Sequence, residues 1–251
     1  MSEAIQYGYS LFETIRYQNN KAHNLKGHYN RLTQSSQTLA IPYKQTFDEF
    51  EDDVQGSINQ SSMNKGVVRY QISKDGDQII KKIDLKVNRY EKSMYEHGFK
   101  VSISSVKKSS SSLMLRHKSS NYLENLLVLQ EAKIKGFDEA LFFNENSYIT
   151  EGTYTNMFLI KNGKVFTPDL TCGLLKGTMR TQVIQTLKDL KIDMVEKALT
   201  LKALEEAEGV FLTNALMGVM PVCKINEVKT YTVKHKIVDL LSDQLMADWF
   251  E

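Results

Sequence analysis

A strand-rich α+β chain in two parts is the fold class this sequence predicts. Short runs of β-branched and aromatic residues recur along its whole length, and apolar positions at helical spacing stand between them. A serine-rich stretch, KKSSSSLMLRHKSSN, breaks the chain near its middle.

SLFETIRY (10–17) mixes aromatic and β-branched residues and predicts a strand, and Asn-Asn-Lys turns it into a second, shorter one. Leu25, Leu32 and Leu39 recur at seven-residue spacing, which predicts a helix over 26–39, ended by Pro42. DEFEDDVQGSI predicts a second helix with an acidic outer face. GVVRYQIS (66–73) and IIKKIDLKV (79–87) flank Lys-Asp-Gly-Asp, a hairpin signal. FKVSISSV (99–106) predicts another strand before the serine-rich loop. Beyond the loop, Leu123, Leu126, Leu127 and Ile134 fall on one helical face, and Gly136 is placed to end that helix. The strands EALFF, TYTNMFLI and KVFTP follow, then a helix over about 177–190 and the segments MVEKALT, GVFLTN and PVCKI. Val233, Ile237, Leu240, Leu241 and Leu245 predict a closing helix. The expected division is a first domain over 1–106, a linker over 107–117 and a larger domain over 118–251.

Length and composition limit the function. The 251 residues suffice for one large domain or two small ones, with 41% hydrophobic and 25% charged residues. A formal net charge of +2, with no long basic block, gives no reason to expect nucleic acid or an anionic membrane as partner. Cys172 and Cys223 form no C-x-x-C pair, the first residues lack the apolar core of a signal peptide, and GVFLTNALMGVMPV is too short to span a bilayer. A cytoplasmic protein with reduced thiols is the expectation.

Motifs exclude several chemistries. Five histidines make neither H-x-x-x-H nor H-E-x-x-H, so no metal is expected. GLLKGT lacks the ending of a phosphate loop, and neither G-x-G-x-x-G nor G-x-S-x-G occurs. What remains is four separated segments: HYNRL with Arg31, Lys118 after the loop, ITEGTYTN with Glu151, and the two turns GLLKGTMR and LTNALMGVMPV. Singly, each has an ordinary explanation as a solvated charge, a turn residue or a helix start. Together they meet the needs of pyridoxal phosphate. That cofactor requires an amine to hold its aldehyde as a Schiff base, a group against its pyridine nitrogen, and amides with a cation for its phosphate. A helix starting near Gly177 offers free N–H groups and a dipole that favours an anion.

These segments resemble the fold-type IV pyridoxal phosphate enzymes, which include branched-chain aminotransferases, D-amino acid aminotransferases and aminodeoxychorismate lyases. YGYSLFETIR is similar to the family's opening, HYNRL to its phosphate-arginine helix, and the stretch from HKSSNYLENL to KVFTPDL to its long signature. The resemblance implies a small α/β domain and a larger pseudo-barrel domain, with cofactor between them, and a homodimer acting on a small-molecule substrate. It implies that Lys118 carries the Schiff base and the proton, Glu151 faces the pyridine nitrogen, and Arg31 meets the phosphate. It implies that Thr178, Met179, Asn214 and Ala215 help hold the phosphate, that Leu175 packs on the ring, and that Tyr122 approaches the ring hydroxyl. Arg116, His117 and Arg180 are candidates for the substrate carboxylates.

Two departures stand out. The family carries a first strand ahead of its opening motif, so the small domain is expected to lack an edge strand here. Tyr7-Gly8-Tyr9-Ser10 also replaces the family's Tyr-Gly-Asp-Gly. TNALMGVMPV resembles the lyase turn, and SKDGDQIIKKIDLK lacks the Arg-x-His pair of D-amino acid aminotransferases. The resemblance therefore implies a 4-amino-4-deoxychorismate lyase that releases p-aminobenzoate and pyruvate for folate synthesis. An aminotransferase for D-amino or branched-chain amino acids is the alternative.

Overall fold

The computed structural model describes residues 3–250. The chain divides into two compact units, each with its own core. The first contains the chain up to Arg89 together with His117–Tyr122. The second contains Tyr90–Arg116 and the chain from Leu123 onward. The expected 107–117 linker thus falls largely in the second unit, while Lys118 groups with the first.

In the first unit, α1 (Glu3–Tyr7) precedes β1 (Ser10–Gln18), β2 (Lys21–Ala22), α2 (Leu25–Thr38), α3 (Phe47–Asn59), β3 (Lys65–Asp75) and β4 (Gln78–Lys86). The four strands form an antiparallel sheet in the order β2-β1-β3-β4. β3 and β4 are joined through Gly76, whose φ of 61° suits the tight turn. Leu11, Ile15, Leu32, Phe50, Val54, Val68 and Tyr70 fill the core between the sheet and α2 and α3. Leu25 and Leu39 pack at its margin, as their spacing with Leu32 predicts. Thr46 starts α3 with a capping box: its hydroxyl accepts from the Glu49 N–H, and the Glu49 carboxylate accepts from the Thr46 N–H.

In the second unit, α4 (Lys92–His97) and β5 (Phe99–Lys108) come first, then α5 (Leu123–Ile134), β6 (Glu139–Asn144), β7 (Ile149–Gly152), β8 (Asn156–Lys161) and β9 (Lys164–Thr167). After them come α6 (Thr178–Asp189), β10 (Met194–Glu196), α7 (Leu201–Glu206), β11 (Gly209–Asn214), β12 (Gly218–Ile225), β13 (Lys229–Thr230) and α8 (Lys236–Leu245). The strand order is β10-β9-β8-β11-β12-β5-β6-β7, with β13 on β12. β7 runs through a corner into β8, closed by the Gly152 N–H on the Thr155 carbonyl at 2.7 Å. The path from β8 round to β7 is thereby brought back on itself, as the pseudo-barrel implied by the resemblance requires.

Period-2 alternation sorts its side chains into two layers. Met157, Leu159, Val210, Leu212, Met220 and Val222 enter one cluster. Phe158, Ile160, Phe211 and Val219, one residue out of step, enter a second cluster with α6 and α8. Phe158 and Phe211 stack with ring centroids 4.9 Å apart.

α5 corrects one expectation. The stripe Leu123, Leu126, Leu127 and Ile134 is exposed, with Ile134 at 81%. The helix instead packs Val128 and Ala132 on Ala140 and Phe142 of β6. LENLLVLQEAKI is apolar on nearly every side, so periodicity alone does not choose the packed face.

Candidate active site

Lys118 lies on a short segment laid against β1. β2 covers only the last two residues of β1, leaving the front of that edge open. There the Phe12 N–H donates to the Lys118 carbonyl at 3.0 Å, and the Ser120 N–H donates to the Ser10 carbonyl at 2.9 Å. Leu11 and Ser119 form the bridge between these bonds. The Lys118 Nζ stands 4.5 Å from the Phe12 ring centroid and 5.3 Å from that of Tyr122, and the two rings meet edge to face at 5.4 Å. Tyr122 therefore lies beside the amine. Gly8 backs this segment: a Cβ on it would fall 2.1 Å from the Asn121 Oδ1, and its φ is 71°.

Next to Phe12 on β1 is Glu13, whose side chain is 1% exposed. Arg31 on α2 donates to it through both Nε, at 2.8 Å, and Nη2. His28, one turn earlier on α2, places its Nδ1 2.7 Å from the same carboxylate. Burial alone would raise the Glu13 pKa, but Arg31 and His28 more than offset this and hold it at about 2. His28 moves the other way. Its burial, with smaller contributions from the charges of Arg31 and Lys118, outweighs the pull of Glu13 and lowers its pKa. A neutral His28 then donates its Nδ1–H to Glu13. His117, from the Lys118 segment, faces the Ser35 hydroxyl of α2 at 3.0 Å.

In the second unit, Glu151 sits on β7. Its Oε2 accepts from the Leu175 N–H at 3.0 Å and from the Asn156 Nδ2 at 3.3 Å. Asn156 Nδ2 also donates to the Leu175 carbonyl at 2.9 Å, so one amide ties Glu151 to the turn before α6. Gly177 ends that turn as the N-cap of α6, and no side chain caps the helix there. A Cβ on Gly177 would fall 2.0 Å from the Asn156 Oδ1, so only glycine fits. Thr178 and Met179 begin the helix and are buried. Asn214 builds the β11–β12 turn that holds Ala215: its Oδ1 accepts from the Leu216 and Met217 N–H groups, both at 2.9 Å. Its Nδ2 faces the Tyr90 hydroxyl at 3.2 Å.

Two proposed substrate contacts have other surroundings. Arg180 is buried and donates to the Glu196 carboxylate at 2.6 Å and the Pro168 carbonyl at 2.9 Å, so its guanidinium is engaged within the fold. Arg116 is exposed at the end of a 3₁₀ turn.

Sequence reasoning assigned no role to Glu13, His28, Asn156 or Glu139. Glu139 is buried and accepts from the Ala140, Thr153 and Tyr154 N–H groups and the Thr153 and Thr155 hydroxyls. It shapes the corner between Glu151 and Asn156, while its burial pushes its pKa up. For Glu13, Asn156 and Glu139 the signal was an ionisable or amide residue inside a strand pattern, where burial demands partners. Lys108, at the end of β5, is also buried; it pairs with Glu124 and, at 2.8 Å, with Asn125 of α5. Asn125 in turn donates to the Thr153 carbonyl at 2.7 Å.

An amine, a carboxylate bound by N–H donors, a half-buried arginine and a glycine cradle at a helix start are the groups that pyridoxal phosphate needs. Among the described residues no cluster of three His, Cys, Asp or Glu side chains could hold a metal. Residues 10–225 match the family model for class IV amino-transferases. An Aquifex aeolicus protein named probable branched-chain-amino-acid aminotransferase is 30% identical over 247 residues, 91% of this chain and 79% of its own. The branched-chain-amino-acid aminotransferase of Escherichia coli is 28% identical over 248 residues, 91% of this chain and 80% of its own. A solved Legionella pneumophila structure, named "Putative 4-amino-4-deoxychorismate lyase", superposes with a TM-score of 0.92 at 30% identity, covering 98% of this chain and 93% of that one.

Proposed function

From a chain that belongs to the class IV aminotransferase family, and therefore to enzymes that use pyridoxal phosphate, we propose a 4-amino-4-deoxychorismate lyase that yields p-aminobenzoate and pyruvate. The observation that carries the choice is the turn Asn214-Ala215-Leu216-Met217, built on the Asn214 side chain and followed by Gly218. It resembles the lyase turn. The likeness to the Legionella protein supports the same reading, and so does the lack of an Arg-x-His pair across the β3–β4 hairpin.

When bound, the cofactor supplies an electron-accepting ring. Lys118 would hold its aldehyde through Nζ. Freed by the substrate amine, that Nζ would take the proton from the ring carbon bearing nitrogen and would pass a proton to the departing enolpyruvyl oxygen. Glu151 would face the pyridine nitrogen, its carboxylate aimed by the Leu175 N–H and the Asn156 amide. Arg31, the amides of Gly177, Thr178 and Met179, and the turn of Asn214 and Ala215 would be the phosphate's partners. Leu175 would pack on the ring, and Tyr122 would approach its hydroxyl.

We read the active species as a cytoplasmic homodimer. The exposed apolar side of α5 supports the dimer. Among the described residues no helix is long and apolar enough to cross a membrane.

The test is to give purified holoenzyme 4-amino-4-deoxychorismate without any keto acid and to follow p-aminobenzoate fluorescence. Product in the absence of an acceptor is expected. The second reading, a branched-chain aminotransferase, is favoured by the names of the sequence relatives. No p-aminobenzoate, with brisk transamination of leucine or D-alanine, would decide for an aminotransferase.

A further inference from the structure

Glu13 is a fully buried acid on a buried strand, and the chemistry described above gives it no part. Its carboxylate is nonetheless the anchor of the helix face that carries Arg31. It takes the Nε and Nη2 protons of Arg31 side by side, and the Nδ1–H of His28 from one turn below. A guanidinium gripped through two of its nitrogens can neither rotate about its Cδ–Nε bond nor swing on its stem. Glu13 itself is fixed by β1, which pairs with β3 along its length and with the Lys118 segment at its front. The strand that sets Lys118 therefore also sets Arg31.

We infer that Glu13 is the positioning residue for Arg31: it holds the guanidinium in the one orientation in which it meets the cofactor phosphate. The inference rests on Arg31 as a phosphate ligand. Two effects of Glu13 oppose each other. Its negative charge repels a phosphate, so removing the charge alone would tighten phosphate binding. Its geometry orients the arginine, so losing the geometry weakens binding. The bidentate grip makes geometry the larger effect. A glutamine at this place must turn an N–H donor toward an Arg31 N–H or toward His28. An aspartate keeps the charge but is one methylene too short to reach both nitrogens.

The two effects separate in a binding experiment on apo protein. The probes are pyridoxamine phosphate and pyridoxamine, which differ only in the phosphate and need no covalent capture. Dissociation constants are measured by calorimetry for the unaltered protein and for Glu13→Asp, Glu13→Gln, Arg31→Met and Glu13→Asp with Arg31→Met. Glu13→Asp is expected to weaken pyridoxamine phosphate about tenfold, the worth of one charge-assisted hydrogen bond, with pyridoxamine unchanged within twofold. Glu13→Gln should weaken the phosphate form in the same direction. The double variant should bind no more weakly than Arg31→Met, because Glu13 acts only through that side chain. Unchanged or tighter binding of the phosphate form by Glu13→Asp overturns the inference. Equal loss of both probes, or loss of folding in both Glu13 variants, assigns Glu13 to stability alone and overturns it too. If Arg31→Met shows no phosphate-dependent loss, Arg31 is not the phosphate ligand, and the underlying reading falls first.

Discussion

Gly177→Ala offers a test in which two ordinary expectations have opposite signs. At φ −63° alanine is as comfortable as glycine. On backbone entropy alone the change should stabilise by about 0.4–1 kcal/mol. The structure predicts the reverse, because the new Cβ would lie 2.0 Å from the Asn156 Oδ1. Asn156 cannot yield cheaply: its Nδ2 is committed to the Glu151 carboxylate and the Leu175 carbonyl. Turning it aside gives up a hydrogen bond to a charged group, worth about 1.5–3 kcal/mol, and a neutral one worth about 1 kcal/mol. Against the entropic gain, the net loss is about 2–3 kcal/mol. For a chain of this length that lowers Tm by roughly 5–10 °C. Thermal unfolding by circular dichroism measures it, and the same change made with Asn156→Ala isolates the cause. In that background Gly177→Ala should cost nothing, since the clashing atom is gone. An unchanged or higher Tm for Gly177→Ala alone would refute the close approach of Asn156.

Lys118→Ala should abolish turnover, and borohydride treatment of the unaltered holoenzyme should leave a reduced cofactor adduct that peptide mass mapping finds at Lys118 and nowhere else. Acid should unfold the protein partly through Glu13. Its pKa is depressed from 4.5 to about 2, so its contribution of about 3 kcal/mol is whole above pH 4.5 and is lost as the pH falls toward 2. His28, lowered from 6.5, loses stability in the same direction, beginning near pH 6.5. Denaturant titrations between pH 7 and 2 should show both, and Glu13→Gln should flatten the lower limb. Leu126→Glu with Leu127→Glu should leave the monomer fold intact and shift light-scattering mass toward a single chain. Retention of the dimer mass would remove α5 from the interface.

How much of this architecture could be read beforehand varied with the kind of signal. β1, α2, α3 and the β3–β4 hairpin were readable because each has a local cause: a β-branched run, a leucine repeat, the acidic helical pattern DEFEDDVQGSI, a turn at Gly76. α5 was readable as a helix but not as a surface, since which side of an all-round apolar helix packs depends on β6. Arg180 stood next to a phosphate-turn motif and looked like a substrate contact. Its partners, Glu196 and Pro168, come from separate stretches that only folding places beside it. Glu13 and Glu139 had the same difficulty in another form: an acid in a strand says nothing of whether it faces water or a waiting set of donors.

The excursion of six residues from His117 to Tyr122 bears on how this protein could be cut. The chain departs from the second unit after Arg116 and resumes it at Leu123, with Lys108 clasped to Glu124 and Asn125 at the two ends of the detour. No single uninterrupted fragment owns the lysine's surroundings. A piece ending near Arg89 would keep Phe12 and Arg31 but lack the amine, and a piece starting at Tyr90 would carry the amine without the strand it rests on. Splitting or permuting this enzyme is feasible only where the breakpoint spares that detour.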